Sequence, residues 1–340
     1  MKYIKILVLP VMLMMAGCEK LLMGPEPDGS ASATFEYLWQ QFDEEYSLFD
    51  VKTVDWDSAR AALGAEVHDD MSAEELFDVC GRLTDLLHDG HVNLISGFDV
   101  RHDAWLYRMM TEKSNIDPDC VALHYLGPDY HTLGGLCHND IGDGVLYIRY
   151  ASFSNSIDSN RVKYLVDQYA KRSGGLKGIV FDIRQNGGGN IANLWNMLAP
   201  FRSHGQLLYT TQSKVGKGHF DYGKDHQVWA YDNPMGLDVR VAVLTDRGCY
   251  SAASFFTLCA KEYDNFWVVG DTTGGGLGLP RNGQLPNGWY YRMSVSRTLS
   301  ADGNNWENGV PPDEVVLLDR TLTAQGVDNV IERAKQWILE

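Results

Sequence analysis

The apolar positions near the start of the chain recur at helical spacing. Between residues 35 and 49, apolar side chains return every three or four positions, which is the period of one face of an amphipathic helix. A second helix is predicted from Ser72, because Glu75 three residues later completes a capping box. We expect this helix to end at Gly90, since glycine readily adopts the left-handed conformation that closes helices. These patterns predict an N-terminal helical domain over residues 34–98.

From residue 144 the helical period gives way to short runs rich in β-branched and aromatic residues. Four of these runs are predicted to be strands, at residues 144–149, 178–184, 239–245 and 266–270. Helical spacing separates them at residues 156–171, 190–200 and 251–262, and a last helix is predicted at residues 325–339. Alternating strands and helices imply a largely parallel sheet, and therefore an α/β domain over residues 144–340. Residues 99–143 are interpreted as a connecting segment.

The first residues have the pattern of an export signal. Lys2 and Lys5 precede an apolar run that is too short to span a bilayer, and two small residues then precede Cys18. This pattern resembles a bacterial lipobox, so we expect residues 1–17 to be a signal peptide and Cys18 to be lipidated; the alternative is a plain secretory signal. The glycine- and proline-rich residues 18–33 are predicted to be a tether. The expected location is the bacterial cell envelope, lipid-anchored, on the periplasmic side or exposed at the surface.

The net charge bears on the possible partners, and the cysteine spacing bears on possible metal sites and disulfides. The chain of 340 residues carries 29 Lys and Arg against 45 Asp and Glu, a net charge of -16, which disfavours nucleic acid as a partner. Five cysteines follow Cys18 without a CxxC spacing, so neither a zinc cluster nor a disulfide framework is indicated. A disulfide between Cys120 and Cys137 remains open.

Ser251 lies where a predicted strand passes into a predicted helix. The free N–H groups at the start of a helix can stabilise an oxyanion, which favours Ser251 as a nucleophile. The competing interpretation is that Ser251 only caps the helix, because serine is a common N-cap residue. Cys249, two residues earlier, is a competing nucleophile.

Two further segments carry potential chemistry. Three consecutive glycines at residues 187–189 allow the backbone to approach a ligand closely, as an oxyanion hole requires, although they could equally form a tight turn. The run matches neither a P-loop nor GxGxxG. A serine nucleophile needs a base, for which His91 is a candidate, and Glu307 could orient that base.

Five motifs stand in an order that resembles peptidase family S41, the C-terminal processing and tricorn-like peptidases. In chain order they read LHDGHVNL, GIVFDIRQNGGGN, VLTDRGCYSAASF, VVGDTTGGGLG and ENGVPPDEVV. The resemblance extends over about residues 35–316 and points to the short lipoprotein members without a PDZ domain. It implies a crotonase-like β/α spiral packed against an N-terminal helical bundle, and a serine peptidase that needs no metal or organic cofactor.

The resemblance also implies a role for each matched residue. Ser251 would be the nucleophile and His91 the general base, while Glu307 would take the place of the carboxylate in the tricorn-type tetrad. The oxyanion hole would be formed by the backbone N–H of Ala252 together with one from Gly187, Gly188 or Gly189. The implied partner is a peptide or an unfolded protein, and the oligomeric state is left open.

Two positions depart from the family pattern. Peptidases of the Ser-Lys type carry a lysine in the glycine loop after VVG, and residues 271–278 contain none, so the base role passes to His91. Tricorn-type peptidases carry a serine directly before the histidine, where this chain has Gly90. Support of His91 by Asp89 or by a water molecule therefore stays open beside support by Glu307. Because of these departures, a second function remains open: a catalytically degenerate lipoprotein that binds peptides or other ligands on the same scaffold. A third is crotonase-type acyl-CoA chemistry on the same fold.

Overall fold

The computed structural model describes residues 28–102, 104–172 and 174–340. The predicted signal peptide and Cys18 lie outside these residues. The first elements are α1 (Ala31–Glu45), α2 (Trp56–Gly64), α3 (Ala73–Asp85), β1 (Asn93–Ile95), β2 (Val100–His102) and α4 (Ala104–Glu112). Next come α5 (Pro118–Cys120), which continues into a π-helical turn at Val121–Leu126, β3 (His131–Leu133) and β4 (Leu136–Asp140). No helix in these described ranges is long and apolar enough to cross a membrane.

The remaining elements alternate between strands and helices before ending in a helix. The central part of the chain contains β5 (Val145–Tyr150), α6 (Ser159–Ala170), β6 (Gly178–Asp182), α7 (Ile191–Leu198), β7 (Leu207–Ser213), β8 (His226–Trp229), β9 (Arg240–Thr245), α8 (Ala252–Ala260) and β10 (Phe266–Gly270). The last part contains β11 (Pro280–Gln284), β12 (Tyr290–Ser294), β13 (Ser296–Ser300), β14 (Glu314–Val315), α9 (Arg320–Thr323) and α10 (Asn329–Leu339).

The main sheet has seven strands in the order β14-β10-β9-β6-β5-β4-β3. The first five strands of this order are parallel to their neighbours, and β4 and β3 are antiparallel. Strands β6, β9 and β10 are almost entirely buried, which explains why they read as continuous apolar runs in the sequence. The predicted α/β core is confirmed.

The carboxyl ends of the parallel strands meet at one edge of the main sheet. The loops that follow β6, β9 and β10 at this edge comprise residues 183–190, 246–251 and 271–279. Ligands of α/β proteins bind at this edge, because the loops there converge on one crevice. Both glycine-rich motifs and the Ser251 motif thus come together through the sheet topology.

A second core joins the N-terminal helices to strands from the end of the chain. Helices α1 and α3 pack against the sheet β11-β12-β1-β2, and the shared apolar cluster includes Phe42, Leu83, Tyr291 and Met293. Residues 34–98 therefore do not bury their apolar face alone. The boundary predicted at residue 144 separates elements that fold against one another.

Three boundaries near the N-terminus differ from the prediction. Helix α1 begins at Ala31, inside the predicted tether, because Ser30 accepts a hydrogen bond from the Ala33 N–H and caps the helix. Helix α1 also ends at Glu45 rather than near residue 49. Helix α3 ends at Asp85, before the predicted end at Gly90.

The left-handed residue after α3 is also not the one predicted. His88 has φ of 46°, and its carbonyl accepts a hydrogen bond from Lys52 Nζ at 3.0 Å. Gly90 has no left-handed conformation. Lys52 thus binds the chain at the left-handed residue, two positions before Gly90.

The segment at residues 99–143 does more than connect two domains. Strand β4 pairs with β5 and extends the main sheet, and β3 pairs with β4. Helix α4 was not predicted from the sequence. Cys120 and Cys137 in this segment are both free thiols, so the disulfide that the sequence left open does not form.

Candidate active site

Ser251 lies immediately before α8 in a backbone conformation that serine rarely adopts. Its φ is 54° and its ψ is -121°, and its N–H donates to the Gly275 carbonyl at 2.9 Å. Its side chain makes no capping hydrogen bond to the helix, so the interpretation of Ser251 as only a helix cap is wrong. The Ser251 hydroxyl lies instead 3.0 Å from His91 Nε2. A strained residue of this kind is typical of functional sites.

His91 lies between α3 and β1, with its ring almost completely buried. Burial lowers the pKa of His91 below its ordinary value, although the negative charge of Asp89 opposes this effect. The neutral ring that results can accept a proton from Ser251 at neutral pH. Nδ1, the other ring nitrogen, has no hydrogen-bond partner among the described residues. The Gly278 backbone lies beside the ring and favours the protonated form of His91, but the two groups do not form a hydrogen bond.

Glu307 binds the loop after β10, which contains Gly278 beside the His91 ring. Its Oε2 accepts hydrogen bonds from the Leu277 and Gly278 N–H groups at 2.7 and 2.8 Å. Its Oε1 is buried without a partner within the described part of the chain. Burial, together with the charge of Asp89, raises the pKa of Glu307 to about 8. Glu307 thus borders the His91 loop, and neither of its oxygens is hydrogen-bonded to the His91 ring.

Asp89 does not contact the His91 ring by a hydrogen bond either, but it binds the backbone of the same residue. Its Oδ1 accepts from the His91 N–H at 2.8 Å. Of the two carboxylates that the sequence left open for the support of His91, Asp89 binds its backbone, Glu307 binds the backbone of Leu277 and Gly278, and neither bonds to Nδ1.

The glycine run lies directly against the nucleophile. Gly188 has φ of 94°, and a Cβ at this position would lie only 2.9 Å from Ser251 Cβ, so only glycine fits. The Gly188 N–H donates to Asn186 Oδ1 at 3.0 Å, which removes it from the set of candidate oxyanion donors. In the described structure, no acceptor is bonded to the N–H of Gly187, Gly189 or Ala252. These three groups remain the candidate oxyanion donors.

Two polar residues hold these loops together, and the sequence analysis did not single them out. The backbone carbonyl of Asn186 accepts from the Tyr250 N–H at 3.0 Å, which ties the glycine loop to the turn that carries Ser251, and the Asn186 side-chain Oδ1 accepts from the Gly188 N–H. Asp246 accepts from the Gln185 N–H at 2.8 Å and from the Gly248 N–H at 3.0 Å. Both residues lie inside the quoted motifs, Asn186 directly before the glycine run and Asp246 two residues before Gly248. A polar residue at such a position was the available signal.

Cys249 is not a nucleophile in this arrangement. Its thiol is fully buried and donates to the Ile183 carbonyl at 3.0 Å. Burial raises the pKa of Cys249 well above its ordinary value, so the thiolate is not populated at neutral pH.

Two family models match the chain. The model of peptidase family S41 matches residues 144–316, which include Ser251 and Glu307, and the model of the tricorn protease C1 domain matches residues 30–85. His91 lies between the two matched spans. The carboxy-terminal processing proteases CtpB and CtpA of Bacillus subtilis (strain 168) are each 25% identical to this chain, over 173 and 176 residues. The matches cover 50% and 51% of this chain, which spans about a third of the length of these relatives.

Solved structures extend the likeness to nearly the whole chain. A crystal structure of a protein from Parabacteroides merdae ATCC 43184, provisionally assigned as a peptidase, is 33% identical with a TM-score of 0.85, covering 92% of this chain and 98% of that chain. The photosystem II D1 C-terminal processing protease has the same fold at 17% identity and a TM-score of 0.51, over 88% of this chain and 98% of its own. The chain belongs to peptidase family S41.

Proposed function

We propose that this protein is a serine peptidase that hydrolyses peptide bonds through an acyl-enzyme. The observation that carries the proposal is the 3.0 Å approach of the Ser251 hydroxyl to His91 Nε2, beside unbonded backbone N–H groups. The degenerate binding scaffold is the weaker candidate, because a decayed site has no reason to retain this pair in a strained backbone.

Each step of the proposed reaction uses a group of this site. Ser251 Oγ attacks the scissile carbonyl while His91 Nε2 takes its proton. The oxyanion that forms accepts hydrogen bonds from the Ala252 N–H and from one N–H of the glycine run, that of Gly187 or Gly189. His91 then returns the proton to the leaving amine, and a water molecule, deprotonated by the same ring, releases the acyl group from Ser251.

The test is covalent labelling of residues 28–340 with a fluorophosphonate probe, which reacts with activated serines. We expect labelling of the wild type at Ser251 and none in Ser251→Ala or His91→Ala. The matched control is His138→Ala, because His138 is a second histidine that is 6% exposed, as His91 is, and it lies outside the site. The labelling rate should rise with pH and reach its half-maximum below pH 6.5, since the base must be neutral and its pKa is lowered. A folded wild-type protein that the probe does not label would contradict the proposal.

The substrate is proposed to be a peptide or an unfolded protein, cut either within the chain or near its carboxyl end. Similarity to carboxy-terminal processing proteases supports the second choice. The cleavage sites in a library of peptides, read by mass spectrometry, distinguish the two.

We also propose that the protein is anchored in the bacterial cell envelope through a lipid on Cys18. The lipobox-like residues before Cys18 support this proposal. Expressed at full length in a bacterium, the wild type should fractionate with membranes and incorporate radiolabelled palmitate. The Cys18→Ala variant should incorporate none; equal incorporation by both would refute the anchor.

A further inference from the structure

Asp89 is a buried carboxylate with hydrogen-bond donors on both oxygens. Only 1% of the residue is exposed. Its Oδ1 accepts from the His91 N–H at 2.8 Å and from the Tyr250 hydroxyl at 3.1 Å. Its Oδ2 accepts from the hydroxyls of Tyr46 at 3.0 Å and Ser294 at 2.9 Å. A carboxylate with this set of donors stays ionised in the interior.

The two donors on Oδ1 belong to the two halves of the catalytic pair. Tyr250 directly precedes Ser251 in the chain, and His91 carries the proposed base. One oxygen atom therefore bridges the segment of the nucleophile and the segment of the base. The donors on Oδ2 come from the end of α1 and from β12, so they anchor Asp89 to the second core.

The space beside Gly90 is filled by neighbouring side chains, so a residue with a side chain does not fit there. A Cβ on Gly90 would overlap the Leu106 side chain and lie 3.1 Å from the Tyr250 hydroxyl oxygen. The Tyr250 ring thus occupies the space beside Gly90, and its ring centroid lies 5.1 Å from that of His91.

The charges around His91 identify Asp89 as its anionic partner. Lys52 and Arg292 disfavour the imidazolium, whereas Asp89 favours it. Burial opposes ionisation of Asp89, but the charges of His91 and Lys52 and its hydrogen bonds lower its pKa below the usual value. Glu307, the other carboxyl group nearby, has a raised pKa of about 8 and is neutral at pH 7. Tyr46 and Tyr250 also have raised pKa values because of burial, so neither adds a charge.

We propose that Asp89 is a positioning residue of the active site, which holds the backbone of His91 and the Tyr250–Ser251 segment in register and stabilises the imidazolium through its charge. The proposal deepens the proposed function and rests on it for the identity of the base. It assigns to Asp89 the support of His91 that the resemblance assigned to Glu307.

The first test is an NMR titration of the His91 ring in ¹³C-histidine-labelled protein, with the resonance assigned by comparison with His91→Gln. The titration is made in the Glu307→Gln background, because loss of the Asp89 charge would otherwise lower the pKa of Glu307 and let it ionise. In this background Asp89→Asn should lower the pKa of His91 by about one pH unit, because the stabilising charge is lost while burial remains. A substitution that merely loosened the site would relieve the burial and move the pKa up, toward the ordinary 6.5. An unchanged or raised pKa would therefore overturn the proposal. This measurement needs no catalytic activity.

The second test measures the rate of fluorophosphonate labelling at Ser251. Asp89→Asn should slow labelling by about tenfold or more, because the base and nucleophile lose their common anchor. Tyr250→Phe keeps the charge and removes one hydrogen bond, so it should slow labelling several-fold and leave the pKa of His91 in place. Should Asp89→Asn fail to fold, Tyr250→Phe alone decides: labelling at the wild-type rate would refute the positioning role.

Tyr147→Phe is the matched control. Tyr147 is likewise fully buried, and its hydroxyl donates to Asp182 Oδ2 at 2.7 Å, outside the site. This variant should be labelled at the wild-type rate. If it is labelled as slowly as Tyr250→Phe, general destabilisation explains both variants and the proposal is overturned. If the probe fails to label the folded wild type, the proposed function falls, and the NMR titration still decides whether Asp89 acts on His91.

Discussion

Two carboxyl groups near His91 show how environment sets the role of a residue. Asp89 receives donors on both oxygens, and Glu307 receives two backbone N–H groups on one oxygen and none on the other. Burial therefore dominates at Glu307 and raises its pKa to about 8, while Asp89 stays ionised. Two neighbouring acids whose pKa values are shifted apart are the usual means by which one site holds both a negative charge and a proton.

The protonation of Glu307 predicts a specific pH dependence of stability. Unfolded glutamate loses its proton near pH 4.5 and folded Glu307 near pH 8, so the folded state binds more protons between these values. The free energy of unfolding contributed by Glu307 therefore declines as pH rises through this range. In Glu307→Gln this decline should vanish, so that the variant gains stability over the wild type at pH 8 compared with pH 5.

Urea unfolding at the two pH values measures this difference. Glu262→Gln is the control, because Glu262 has a raised pKa from burial but lies away from the site, at the end of α8. It should show a smaller change. Parallel stability curves for the wild type and Glu307→Gln would mean that Glu307 is ionised in the folded protein.

At the scale of elements, helix α4 borders the site without belonging to a core. None of its residues is buried. Leu106 lies against Gly90, and Met110 Cε would lie 3.7 Å from a Cβ placed on Gly187. The helix thus touches both the loop that carries the base and a candidate oxyanion donor.

This position predicts that Met110 influences substrate binding more than folding. In Met110→Ala, KM for a cleaved peptide should rise several-fold, because an apolar wall beside Gly187 is removed, while the midpoint of thermal unfolding stays close to that of the wild type. Exposed Tyr107 on the same helix provides the control, and Tyr107→Ala should leave both quantities unchanged. A loss of stability without a change in KM would assign Met110 a purely structural role.

Elements with a strong local pattern were predictable from the sequence, and those shaped by distant contacts were not. Strand β10 occupies the predicted residues 266–270, because a buried parallel strand is apolar throughout. Helix α4 was not predicted, and none of its residues is buried in the structure. Ser251 and His91 were found through motifs. The four donors to the Asp89 carboxylate come from residues spread between positions 46 and 294. No local sequence pattern predicts that residues so far apart come into contact.

At the scale of the whole molecule, the core of the main sheet and the second core are interleaved along the chain. The main sheet carries an apolar cluster on each face, whereas the second core takes α1 and α3 from the beginning of the chain and β12 from near its end. Ser47, just after α1, donates a hydrogen bond to the Ser294 carbonyl across 247 residues. The site lies where the cores meet, since Asp89 is bound by Tyr46 on one side and by Tyr250 on the other.

This interleaving sets an order of events during synthesis. The N-terminal helices leave the ribosome first, yet the strands that cover their apolar face are made almost last. Contacts between residues so far apart in the chain form slowly, because a long loop must close before they are made. A nascent chain that ends before β12 lacks Ser294 as an anchor for Asp89, and it lacks Glu307 as well. The proposed active site is therefore assembled only when the chain itself is nearly complete.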